Sequence, residues 1–162
     1  MVHCLQFLIE IITNLNLIIM KIVRKHNLDF KGFYGEHAKA SLPSHSGLYF
    51  VYRGIRNKQP DGKFTCSINQ LLYIGQAEDV NDRVNGEHEH YDEWCNYLKK
   101  GEMLYYSTCQ VDVHLLDELE AACIYQAQPP VNIHCKKSYN YNPVKIKCSG
   151  RVKFIDSEFN VG

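Results

Sequence analysis

Leu71–Gln76, LLYIGQ, reads as a strand bound for a core, yet it carries a tyrosine and then a glycine, which weakens any strand. A related stretch lies upstream at Gly47–Tyr52, GLYFVY, with its glycine before the tyrosine instead of after it. Gly47–Arg53 and Gln70–Gly75 are apolar and β-prone, and NKQPDG at 57–62 carries turn chemistry. Together they read as a hairpin with a long connection. SLPSHS at 41–46 is the turn-rich linker that delivers the chain into the first strand.

Downstream, Gln76–His90 has helical spacing, with Val80, Val84 and His88 on one i, i+4 row, although Gly86 weakens it. Tyr91–Lys100 reads as a second helical piece ended by Gly101, and Met103–Val113, MLYYSTCQVDV, as a third strand. The best-defined helix covers 115–127. Leu115, Leu119, Ala122 and Cys123 form its apolar stripe, and Pro129 and Pro130 stop it. Beyond Asn132 the chain is polar and irregular, with strand-like fragments such as Val144–Lys147. Two strands, a helix, a strand and a helix make a compact α+β pattern around a small sheet.

At 162 residues, 45% apolar and 22% charged, the chain suits one globular domain with a real core. Eighteen basic side chains balance eighteen acidic ones, so the overall field favours no charged partner. The distribution is uneven. Glu78, Asp79, Asp82, Glu87, Glu89, Asp92 and Glu93 surround a lone Arg83. Lys136, Lys137, Lys145, Lys147, Arg151 and Lys153 follow without an acid until Asp156, which suits either a phosphate-tracking tail or a solvated one. Seven cysteines with no C-x-x-C pair indicate neither a disulfide framework nor a zinc knuckle. His134, Cys135 and Cys148 are poorly spaced for zinc, and Cys109 and Cys123 sit in core-like contexts. The expectation is a reduced, intracellular, cytoplasmic protein.

Residues 1–20 are apolar, but Glu10, Asn14 and Asn16 interrupt them, which argues against a membrane span. No basic segment or cleavage site marks a signal peptide. One reading makes 1–19 an upstream extension with Met20 as the natural start. The other packs them on the domain as an amphipathic helix or strand. The expected organisation is an N-terminal extension at 1–45, a domain at 46–134 and a basic tail at 135–162.

Several polar residues stand where apolar ones would serve. Leu116, Glu120 and Ile124 share one helical row, so a carboxylate in apolar company needs an arginine, hydrogen bonds or a metal ion. Glu118 falls on a more exposed face. Arg83 edges the Val80–Val84 face, where its bland role is an i, i+4 salt bridge to Glu87. Tyr49 and Tyr73 are each explicable as packed aromatics with a hydroxyl reaching water.

Taken in order, Gly47-Leu48-Tyr49, Tyr73-Ile74-Gly75, Arg83, a following histidine, Glu120 and Asn132 resemble the GIY-YIG nuclease domain. The resemblance covers roughly residues 47–133, and its register is specific: Arg83 lies eight residues after Gly75 and Asn132 twelve after Glu120, in EAACIYQAQPPVN. It implies a small three-stranded, mainly antiparallel sheet flanked by helices, and hydrolysis of DNA phosphodiesters with one divalent cation, magnesium or, in substitution, manganese. By the same resemblance Tyr49 activates or orients the attacking water and Tyr73 supports that network. Arg83 binds the scissile phosphate, Glu120 holds the metal and Asn132 fixes the geometry. Leu48 replaces the usual isoleucine. Glu87 stands where the family carries a histidine, with His88 next and His90 beyond; His88 is the choice for that role.

The competing class is a degenerate module of this fold that binds nucleic acid or protein without cleaving. It is motivated by the neutral charge and by the lack of a helix-turn-helix or zinc-finger signature. For the enzyme, the candidate DNA-recognition surfaces are residues 1–45, the 54–69 connection and the basic residues Lys136, Lys137, Lys145, Lys147 and Arg151. A homodimer or a partner subunit would supply double-strand cutting or specificity.

Overall fold

The computed structural model describes Gln6, residues 9–13 and residues 23–162. The proposed start at Met20 lies outside the described residues. Among those described, no helix is long and apolar enough to cross a membrane.

The strands are β1 (Arg24–Gly35), β2 (Gly47–Lys58), β3 (Phe64–Ala77), β4 (Met103–Gln110), β5 (Val144–Gly150) and β6 (Glu158–Val161). The helices are α1 (Val80–Asn85), α2 (Tyr91–Asn96) and α3 (Leu116–Ala127). All six strands join one curled sheet in the order β3-β2-β4-β1-β5-β6, in which β1 and β5 run parallel and the other pairs antiparallel.

The expectation of a small three-stranded sheet is therefore corrected. The antiparallel unit β3-β2-β4 is present, but it is only half of a six-stranded mixed sheet. The other half comes from both flanking segments. The reason lies in α3, whose apolar residues Leu116, Leu119, Ala122, Cys123 and Ile124 share one core with Leu28, Phe30, Val144, Ile146 and Phe159. Without β1, β5 and β6 much of that surface would face water, at a cost of about 25 cal/mol per Å² exposed.

These extra strands have period-two patterning. In β1, Leu28 and Phe30 point inward while Lys25, Asn27, Asp29 and Lys31 point outward. In β5, Val144, Ile146 and Cys148 point inward, and the supposed tail residues Lys145 and Lys147 alternate with them. The β2–β3 hairpin is also longer than expected. Pairing continues to Lys58↔Phe64, and only a tight turn at 59–63 remains, closed by the Gly62 amide to the Gln59 carbonyl.

Helical content is shorter than the spacing suggests. The Asp79 carboxylate caps α1 by accepting from the Asp82 amide, and Gly86 ends it in extended conformation, which leaves His88 outside the helix. The sheet's two faces carry separate cores. Leu48, Phe50 and Tyr52 pack beneath α3, whereas Tyr49 and Val51 pack with Val80, Val84 and Trp94 of α1 and α2.

One buried ion pair locks β2 to β3 and the turn before β4. Arg53 donates to both Glu102 carboxylate oxygens at 2.7 Å, and Asn69 and the Lys99 amide donate to the same carboxylate. Burial pushes the Glu102 pKa up, but these hydrogen bonds outweigh it and hold the group at about 2. Because the folded pKa lies below the ordinary 4.5, the stabilisation is full above 4.5 and lost as pH falls toward 2. Glu102→Gln is expected to cost about 3 kcal/mol near neutrality, since it strands a buried arginine. Urea denaturation across this pH range should show the two proteins converging in acid.

Candidate functional site

The site forms where β2 begins and β3 ends, and two glycines permit it. A Cβ on Gly47 would overlap the Cys109 carbonyl oxygen, so only glycine lets β2 start this close to β4. A Cβ on Gly75 would overlap the Tyr49 ring carbon and hydroxyl, and would press on Tyr73 as well. The Tyr49 ring therefore lies across the backbone of Gly75, with the Tyr73 ring 6.2 Å away, centroid to centroid.

The Tyr49 hydroxyl is 2.8 Å from His88 Nε2. His88 Nδ1 accepts from the His90 amide at 3.2 Å, and the imidazole packs on Trp94. Burial, reinforced by the nearby Arg83 charge, lowers the His88 pKa to about 4. The neutral ring therefore carries its proton on Nε2 and donates it to the Tyr49 oxygen. Burial raises the Tyr49 pKa well above the usual tyrosine value, with Tyr73 adding to the rise and Arg83 opposing it. Tyr73 is pushed up to about 12, by burial first and then by the Glu120 charge. His90 stacks on Tyr73 and bonds Glu93 at 2.9 Å, so of the two histidines His88 is the one that reaches Tyr49.

Arg83 does not pair with Glu87. It donates to both oxygens of Glu89 at 2.6 Å, because the chain leaves the helix at Gly86 and brings Glu89 back over α1. That bond holds Glu89 at about 2. Beside Arg83 runs a cleft of about 440 Å³, lined also by Gln76, Glu78, Asp79, Asp82 and Glu87. Four of the acids around Arg83 thus line this cleft, although Asp79 is occupied in capping α1.

The two glutamates of α3 exchange roles relative to expectation. Glu118 is the buried one, 6% exposed, and it is paired with Arg24 of β1, a strand the sequence pattern did not predict. Glu120 is half-buried and has no cationic partner among the described residues. Burial, and next the neighbouring Asp117, raise its pKa to about 7, with Gln76 hydrogen bonding as the opposing influence. Among the described residues no three His, Cys, Asp or Glu side chains converge on a metal position. What Glu120 offers is a single desolvated carboxylate, and magnesium commonly uses one or two, with water and phosphate completing its shell.

Asn132 does not reach toward these groups. Its side chain clamps the Ile74 peptide, accepting from the amide at 2.9 Å and donating to the carbonyl at 2.8 Å, while the Val131 amide bonds the Leu72 carbonyl. It is a positioning residue for the Tyr73–Gly75 segment. Of the basic candidates, Lys145 and Lys147 lie together beside Lys25, and the others lie apart from them. Lys136 bonds the Pro129 carbonyl, Lys137 is exposed, Lys145 pairs with Glu158, Lys147 lies on the outer face of β5 and Arg151 follows that strand.

Two participants escaped sequence reasoning. Gln76 closes the LLYIGQ stretch and bonds Asp117 of α3, and Glu89 engages Arg83. Gln76 had a signal, its place immediately after Gly75; Glu89 had none beyond the acidic run. The chain has no match among family models, curated proteins or solved structures.

The raised Glu120 pKa fixes a sign. The folded state holds this proton more tightly than the ordinary 4.5 allows, so stability is full below 4.5 and falls as pH rises through 7. Glu120→Gln should flatten that decline and be the more stable protein at alkaline pH, as read from melting temperatures across the range. Asn132→Ala should cost about 2–4 kcal/mol in urea denaturation at any pH, because it leaves two buried main-chain groups unpaired.

Proposed function

We propose that the chain is a metal-dependent DNA endonuclease hydrolysing phosphodiester bonds through a GIY-YIG-type site. The observation that carries this reading is the packing of Tyr49 and Tyr73 on Gly75, with His88 bonded to the Tyr49 hydroxyl and with Arg83 and Glu120 near enough for their charges to bear on the two tyrosines.

Each side chain has a chemical task in this reading. Tyr49 enters as a neutral hydroxyl, since burial holds its proton, and its oxygen already accepts from His88. Of activating or orienting the attacking water, orienting fits such a group. Arg83 binds the scissile phosphate, and its exposed pair with Glu89, worth about 0–1 kcal/mol, is weak enough for a phosphate to displace. Glu120 would hold the divalent cation, magnesium or manganese, whose charge would polarise the phosphate and stabilise the leaving oxygen. Tyr73 and Asn132 keep the β3 terminus in place.

The alternative, a degenerate module that binds nucleic acid or protein, draws on one observation: Glu89 already occupies Arg83 in a cleft lined by acids.

Plasmid and branched DNA incubated with the protein in magnesium or manganese should be nicked or cut. Glu120→Ala should abolish turnover, and Arg83→Ala should reduce it by about 100-fold or more. Tyr49→Phe keeps the ring over Gly75 and removes only the hydroxyl; full activity in that variant would return Tyr49 to a packing role. Folded protein that cuts neither DNA form would sink the enzyme reading. Independently of turnover, millimolar magnesium should raise the melting temperature at pH above 7, and that increment should vanish in Glu120→Gln.

A further inference from the structure

Of the five arginines, Arg24, Arg53 and Arg83 are each paired with a glutamate. Arg56 and Arg151 have no carboxylate partner among the described residues, and both line a single cavity of about 450 Å³. That volume falls in the range of about 300–1,000 Å³ typical of small-molecule sites. No acidic side chain among the described residues lines it.

The cavity follows from how the sheet bends. The β1–β4 register slips between Gly32 and Tyr34, and the β2–β3 register slips at Val51/Tyr52 and Arg53/Gly54. Bulges of this kind turn a strand and re-aim its side chains. The bent strands enclose a hollow walled by Phe33, Tyr34, Phe64 and Tyr105, with Arg56 from β2 and Arg151 just beyond β5. The Arg56 guanidinium lies over the Phe64 ring, 3.7 Å from its centroid, which leaves its N–H edge unspent. The Tyr105 hydroxyl is buried without a hydrogen-bond partner.

Two unpaired guanidiniums call for an anion with several oxygens, and aromatic faces call for a planar ring. We propose that this cavity is a nucleotide-binding site, taking the phosphate between Arg56 and Arg151 and the base against the aromatic wall. From Tyr49 to Arg56 along β2 is roughly 23 Å at about 3.3 Å per residue, so the cavity is separate from the Tyr49 site. The nucleotide comes either free or as one unit of a strand. In the second case the inference rests on the nuclease reading.

The test is calorimetric titration of the full chain, in EDTA and low salt, with adenosine monophosphate and with a short oligothymidylate. At least one should bind, with Arg56→Gln and Arg151→Gln each weakening it about tenfold or more. Phe64→Ala should weaken it severalfold through lost stacking. Binding of the mononucleotide alone identifies a free-nucleotide site, and binding of the oligonucleotide alone identifies a strand contact; either supports the proposal. Binding of neither probe would overturn it, as would binding indifferent to both arginine substitutions. Retained binding by a protein that cleaves no DNA would count against the nuclease reading and leave this one standing.

Discussion

The Tyr49 ring lies across the backbone of Gly75, a contact that leaves room for a hydrogen and nothing larger. Much of the candidate site hangs from it. The ring position sets the hydroxyl against His88, and the strand that carries Gly75 is held from the other side by Asn132. One residue further on, Gln76 reaches α3 at Asp117, beside Glu120. A single short segment of β3 thus ties together a tyrosine from β2, a histidine from the loop after α1 and the carboxylates of α3.

The environments of Glu118 and Glu120 show how one helix assigns opposite fates to similar side chains. Glu118 is buried deeply and neutralised by Arg24, so it serves to join β1 to α3. Glu120 is partly buried and unpaired among the described residues, and burial, with Asp117 beside it, raises its pKa. Unneutralised groups of this sort gather at sites that bind something. The same contrast separates the arginines. Arg53 is consumed by Glu102 in a structural lock, Arg83 is held loosely by an exposed Glu89, and Arg56 and Arg151 face a cavity that no acid among the described residues lines.

Electrical neutrality of the whole chain conceals this local order. The acidic run around Arg83 is partly spent on capping α1 and on holding Arg83 itself. Lys145 and Lys147 are the outward face of a strand, spaced by the alternation that buries Val144, Ile146 and Cys148. Their sequence clustering reflects sheet geometry, and they share that outer face with Lys25 of β1, while Glu158 pairs with Lys145.

By itself the sequence determined the central hairpin, the third strand and α3, because their apolar runs are long and their stops are glycine or proline. It also determined the order and spacing of the residues around Gly75, since those are counted along the chain. Only the tertiary structure decided that the sheet has six strands. β1, β5 and β6 bury few side chains each, and their short alternations gain meaning only when α3 lies above them. Tertiary structure likewise decided that Glu118 is buried, that Glu89 engages Arg83, and that His88 reaches Tyr49. Each of those pairings joins residues whose separation in sequence carries no helical or strand period, so no local pattern could announce it.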